Sequence, residues 1–77
     1  ILITGSSGFI GTNITRYFID KGSKVTGLDV AHPYKNFSQE LFTFRKCDLT
    51  DRDSVFKVFK DLSPRWVIHL AFITHRK

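Results

Sequence analysis

Hydrophobic positions along this chain alternate between two patterns. Ile1-Leu2-Ile3 is a continuous apolar run ending at Thr4, too short for a helix, and it passes directly into Gly5-Ser6-Ser7-Gly8. That pattern predicts a short buried strand feeding a turn. From Phe9 to Lys21 the apolar residues Ile10, Ile14, Tyr17 and Phe18 recur at three- and four-residue steps. This predicts a helix with one stripe on a sheet and with Asn13, Arg16 and Asp20 on the other side. Gly22 follows where a left-handed residue ends helices. Lys24 to Asp29, with Val25, Gly27 and Leu28, predicts a second buried strand, and Ala31 to Glu40 reads as a polar loop. Leu41 to Cys47 predicts a third strand with Phe42 and Phe44 on one face. A second helix is expected from Asp51 to Leu62, with Val55, Val58, Phe59 and Leu62 in i, i+3, i+4, i+7 order, stopped by Ser63-Pro64. Thr50-x-x-Asp53 and Asp51 supply its capping chemistry. Trp66 to Leu70 is nearly continuous in apolar residues, the pattern of a parallel strand buried on both faces.

Composition narrows this little further. At 77 residues and 8.9 kDa the chain is one domain at most, of a size that is marginally stable. Its 42% hydrophobic content and eight Phe are enough for a core, so disorder is not expected. No apolar run approaches the roughly 20 residues that span a bilayer, and no signal peptide is expected, because Ile1 already begins the strand pattern. The one cysteine, Cys47, has no partner for a disulfide and no neighbours at metal-ligand spacing, so no metal site and a reducing, cytoplasmic setting are expected. The net charge of +5 arises from basic residues spread along the whole length. Nucleic-acid binding would need them clustered with stacking aromatics. A mildly positive exterior that suits an anionic cofactor fits the spread better.

The candidate chemistry lies at the predicted strand ends. Glycines at 5, 8 and 11 sit between a strand and a helix, the context in which a glycine motif means phosphate binding. Gly5 suits the tight exit from the strand, and Gly8 clears the approach of backbone amides to a pyrophosphate at the helix start. Gly11 lets the helix pack closely on the strand. Asp29 ends the second strand 18 positions after Gly11, near the distance at which an acid reaches the adenosine ribose hydroxyls. A carboxylate there repels the extra phosphate of NADP, so NAD is favoured, although His32 or Lys35 lies close enough in sequence to meet such a phosphate. The bland alternative for Asp29 is a turn aspartate.

The residues Thr4-Gly5-Ser6-Ser7-Gly8-Phe9-Ile10-Gly11 resemble the T-G-x-x-G-F-I-G signature of the extended short-chain dehydrogenase/reductase family, which includes many NAD(P)-dependent epimerases and dehydratases of nucleotide sugars. Val67-Ile68-His69-Leu70-Ala71 is similar to that family's V-I-H-L-A-A segment, with Phe72 in place of the second alanine. The resemblance implies that Asp48 accepts from the adenine amino group and that the Leu49 amide donates to the ring. It also implies that Leu70 and Ala71 line the adenosine side. The cofactor-binding set is then Gly5, Ser7, Gly8, Phe9, Ile10, Gly11, Asp29, Asp48, Leu49, Leu70 and Ala71. Tyr17 and Lys21 match the family's Y-x-x-x-K catalytic pair in spacing, but they lie on the wrong helix. Tyr17 is expected in the core and Lys21 at a solvated helix end, while His69 is read as a structural residue.

The implied fold is α/β, the N-terminal half of a Rossmann-type doubly wound parallel sheet with strand order 3-2-1-4. On that reading residues 1–77 are a partial NAD(P)-binding domain, with no catalytic residues and with the catalytic and substrate-binding segments elsewhere in a longer parent. The implied function is the NAD-binding portion of a nucleotide-sugar epimerase or dehydratase, with a nucleotide-sugar substrate in the full-length parent. No nucleic-acid or membrane partner is implied, and an oligomeric parent is compatible. The alternatives are a fragment of a related alcohol or steroid dehydrogenase or reductase, or a non-catalytic nucleotide-binding module. An exposed apolar edge on strands one and four, with a tendency to associate, is expected.

Overall fold

The sheet is built outward from three buried residues. In a computed structural model, which describes residues 1–70, Leu2–Thr4 form β1 and all of them are buried. Phe9–Asp20 form α1, Val25–Asp29 β2, Phe42–Lys46 β3, Arg52–Leu62 α2 and Val67–His69 β4. The strands pair in parallel in the order β3-β2-β1-β4, as expected. Ile3 stands opposite Gly27 and Ile68, which sets the register across the central strands.

Alternation along β1 and β2 divides the core. Leu2 and Leu28 cluster with Cys47 and Val58 of α2, and Leu49, Val55, Phe59 and Leu62 pack around them. Ile3 and Val25 are buried with alternate register to these, and α1 packs over β1 and β2. Cys47 thus serves as a small apolar core residue, and burial pushes its thiol up, reinforced by Asp48 and Asp51 and opposed by Arg45.

Both helices end by local chemistry. At the end of α1, Gly22 takes φ 84° and its amide donates to Ile19, while the Ser23 amide donates to Phe18, which satisfies the last carbonyls. At the start of α2 the cap is Asp51, which accepts from the Ser54 amide and hydroxyl. Thr50 instead bonds Asp48. Ser63 ends α2 in the left-handed region at φ 43°, just before Pro64.

Three expectations need correction. The fully buried positions of α1 are Gly11, Thr12 and Thr15; of the expected stripe Ile14 and Phe18 are half-buried, whereas Ile10 and Tyr17 are 62% and 57% exposed. Small residues let the helix come close to the sheet, and close approach turns the bulkier side chains outward. Tyr17 therefore lies on the surface rather than in the core, edge-on to Phe18 and with Lys21 Nζ 5.2 Å from its ring centre. β4 is not buried on both faces: Val67 and His69 are exposed and Ile68 is half-buried, because among the described residues β4 pairs with β1 alone. The expected exposure of β1 is absent, since β2 and β4 flank it on both sides.

Candidate functional site

The carboxyl ends of the parallel strands converge on the turn between β1 and α1. Gly5 has φ 73°, a conformation that a side chain would strain. Its amide donates to the Leu28 carbonyl at 2.8 Å, and the Ser6 amide reaches the same oxygen at 3.4 Å. The Ser7 amide donates to Asp29 Oδ2 at 3.0 Å and the Ser7 hydroxyl to the Ala31 carbonyl at 2.7 Å. The Gly8 amide donates to the Gly5 carbonyl at 3.3 Å, and the first bond of α1 runs from the Thr12 amide to the Gly8 carbonyl at 2.8 Å.

The amides from Gly5 to Gly8 are therefore spent inside the protein. Those of Phe9, Ile10 and Gly11 precede the first intrahelical bond and have no partner within the helix; Phe9 and Ile10 are exposed and Gly11 is buried. Gly8 caps α1 without a side-chain hydrogen bond, and the first turn carries no acid. The helix start is thus an uncompensated positive end. A Cβ added to Gly8 would meet nothing closer than the Gly5 carbonyl oxygen at 3.6 Å. A pocket of about 290 Å³ opens there, lined by Gly5, Gly8, Phe9, Ile10, Gly11 and Leu70. An anionic diphosphate fits this environment: first-turn amides without helical partners, bare glycine backbone and no acid in the first turn of α1.

Gly11 sets how closely α1 can approach the exit of β1. A Cβ on it would lie 2.1 Å from the Gly5 carbonyl oxygen and 2.7 Å from Ser6 Cα. Its lack of a side chain lets α1 lie close against the turn that leaves β1. The Thr12 hydroxyl supports the same contact by donating to the Ser6 carbonyl at 3.3 Å.

The neighbouring strand ends complete the crevice. Asp29 Oδ1 accepts from the Val30 and Ala31 amides at 2.7 and 3.2 Å while Oδ2 holds Ser7. A carboxylate offers about four acceptor sites, so about one remains for a ribose hydroxyl. The Cys47 amide donates to the Asp29 carbonyl at 3.0 Å, which places Asp48 just past the tip of β2. Asp48 is exposed, and its Oδ1 accepts from the Thr50 hydroxyl at 2.6 Å and the Thr50 amide at 2.9 Å. These bonds hold its carboxyl below the usual range, the hydroxyl contributing most. On the other side, the Leu70 amide donates to the carbonyl and hydroxyl of Thr4 at 3.0 and 3.1 Å, and Thr4 Oγ1 lies 2.6 Å from His69 Nδ1. His69 is thus tied to the end of β1. Ala71 lies outside the described residues, as does Phe72.

The side chain of Leu49, the residue after Asp48, does not line the glycine-turn pocket. It packs on the α2 core and lines a separate pocket of about 560 Å³ with Thr50, Arg52, Val55, Phe56 and Phe59. That larger pocket contains no glycine-turn residue. Sequence reasoning missed Ser6, which is buried against β2: a Cβ on Gly27 would come within 2.4 Å of Ser6 Oγ. A glycine inside a β-former strand is the signal that could have disclosed this close approach. His32, in the loop after β2, lies against the Phe44 ring with centres 5.4 Å apart.

Over residues 1–77 the chain matches the model of the NAD dependent epimerase/dehydratase family. The chain belongs to that epimerase/dehydratase family. Among its relatives, Protein CapI of Staphylococcus aureus is 38% identical over 92% of this chain and 24% of its own length. A short chain dehydrogenase from Leptospira borgpetersenii, solved with bound NAD+, superposes with a TM-score of 0.88 at 28% identity, covering 96% of this chain and 31% of that one. The UDP-glucose 4-epimerase of Thermus thermophilus, solved as a complex with NAD, gives a TM-score of 0.79 at 31% identity over 95% of this chain and 24% of that one. The chain thus spans about a quarter to a third of these epimerase/dehydratase relatives and neighbours. Among the described residues no helix is long and apolar enough to cross a membrane.

Proposed function

We propose that this chain is the NAD-binding part of an NAD-dependent nucleotide-sugar epimerase or dehydratase. One observation carries the reading. The first turn of α1, whose amides have no partner within the helix, borders a glycine-lined pocket, and a carboxylate, Asp29, stands at the tip of the adjacent strand. The amides of Phe9, Ile10 and Gly11 hold the diphosphate, with Gly8 leaving room for it. Asp29 accepts from a ribose hydroxyl and repels the 2′-phosphate of NADP. Asp48 and Leu49 border the adenine, and Leu70 and Ala71 line the adenosine side. Ser7 belongs to the site through the turn it braces.

NAD, when bound, supplies reversible oxidation of a sugar carbon. The residues of this chain bind and orient it, and the groups that move protons on the sugar belong to the remainder of a longer parent. The nucleotide sugar is that parent's substrate, and the reducing cytoplasm its setting.

The test is to titrate NAD and NADP against the chain by calorimetry. Asp29→Ala is expected to weaken NAD by roughly tenfold or more, the effect of losing a hydrogen bond to a charged group. It should also bring the affinities of NAD and NADP together. A ratio equal to that of the unaltered chain removes Asp29 from the site.

A further inference from the structure

We infer that Ser7 is a positioning residue for cofactor selectivity: its hydroxyl ties down the exit of β2 and so fixes the Asp29 carboxylate that rejects NADP. The inference rests on the cofactor reading above and extends it to a residue that touches neither phosphate nor ribose in its role.

A carboxylate at the tip of a strand discriminates against a phosphate only if it cannot turn away. Rotation about its side-chain bonds, or drift of the backbone beyond it, would relieve the repulsion. Asp29 is half-buried, and the residues after it, Val30 and Ala31, are exposed and lead into a loop without helix or strand up to β3. The Val30 and Ala31 amides reach Oδ1 from one and two residues on, a local turn that by itself does not fix where Ala31 lies against the rest of the fold.

What fixes Ala31 there is the glycine turn. The Ser7 amide grips Oδ2 at 3.0 Å, and the Ser7 hydroxyl grips the Ala31 carbonyl at 2.7 Å across 24 positions of sequence. The Ala31 amide, in turn, donates back to Oδ1 at 3.2 Å. These bonds form a closed ring: Ser7 to Asp29, Asp29 to Ala31, Ala31 to Ser7. One side of the ring is rigid, because the turn is pinned to Leu28 by the Gly5 amide and backed by the close contact at Gly11. Swinging Asp29 aside therefore means breaking bonds to a turn that cannot follow. Without the hydroxyl, the ring opens at Ala31 and the carboxylate keeps its grip on the Ser7 amide and on the local turn at Val30 and Ala31.

The experiment compares the 77-residue chain with Ser7→Ala and Ser7→Thr. It measures NAD and NADP affinities by calorimetry and exchange of the Ala31 amide by NMR. In Ser7→Ala the preference for NAD over NADP should shrink by roughly three- to tenfold, the effect of one net hydrogen bond. The Ala31 amide should exchange correspondingly faster. Ser7→Thr keeps the hydroxyl and should keep both the preference and the protection. A serine that merely shaped the turn would weaken both dinucleotides by one common factor, so an unchanged ratio in Ser7→Ala overturns the inference. An Ala31 amide that exchanges at the original rate in Ser7→Ala overturns the latch itself. If the unaltered chain binds neither dinucleotide, the cofactor reading fails and the selectivity falls with it, a result that the Ala31 exchange rates distinguish from failure of the latch.

Discussion

Asp29 and Asp48 are both acids at the exits of neighbouring strands, yet the fold uses them differently. Asp29 is bound on both oxygens by amides from two segments, whereas Asp48 is exposed and answers only to Thr50, two residues on. The depression of the Asp48 carboxyl comes first from the Thr50 hydroxyl and then from the Thr50 amide. Both donors favour the ionised form, so the local turn is fully bonded at neutral pH. It loses these bonds only as pH falls through the depressed value, below the ordinary aspartate range. Thr50→Ala should carry most of the titration back toward the usual value, as followed by the Asp48 carboxyl carbon shift in NMR; an unmoved midpoint would assign the depression elsewhere. The approximate spacing from Gly11 made Asp29 legible in the sequence. The Val30 and Ala31 amides that bond it are simply the next two along the chain, but the Ser7 donor was not legible, because it comes from a turn that meets Asp29 only after β1 and β2 pair. Ser6 was hidden for the same reason: nothing around it in sequence says that it sits over Gly27.

At the scale of elements, the strands and helices follow from periodicity with shifts of a residue or two at their ends. The orientation of α1 does not. A hydrophobic stripe of Ile10, Ile14, Tyr17 and Phe18 satisfies the helical period, but only Ile14 and Phe18 are even half-buried and the fully buried positions are Gly11, Thr12 and Thr15. Periodicity reports which residues are apolar; it does not report how near the helix axis can come to its partner. The glycine turn decides that. Gly11→Ala would place a Cβ 2.1 Å from the Gly5 carbonyl oxygen, and both partners are backbone, so neither can move aside easily. The substitution should destabilise the chain by about 3 kcal/mol, the upper end for overpacking, as read from the urea midpoint by circular dichroism. That is a large share of the stability of a domain this small. A loss below about 1 kcal/mol would mean that the turn yields.

For the whole molecule, apolar surface remains beyond what the described residues cover. Phe9, Ile10, Val30, Phe56, Trp66 and Val67 are all substantially exposed, and β4 offers an edge without a neighbour among the described residues. Such an edge invites pairing with a further chain. The isolated chain should therefore associate with rising concentration in sedimentation equilibrium, with the Trp66 emission shifting to shorter wavelength as it does so. A soluble monomer that melts cooperatively above about 65 °C, the top of the ordinary mesophile range, would overturn this. The sequence by itself determined the order of strands and helices, the glycine turn and the acid spaced from it, because hydrophobic period and glycine placement act locally along the chain. Only the tertiary structure decided which turn amides are spent inside the protein, which face of α1 turns inward and what holds Asp29, because each depends on how closely segments approach once the parallel sheet has brought their ends together.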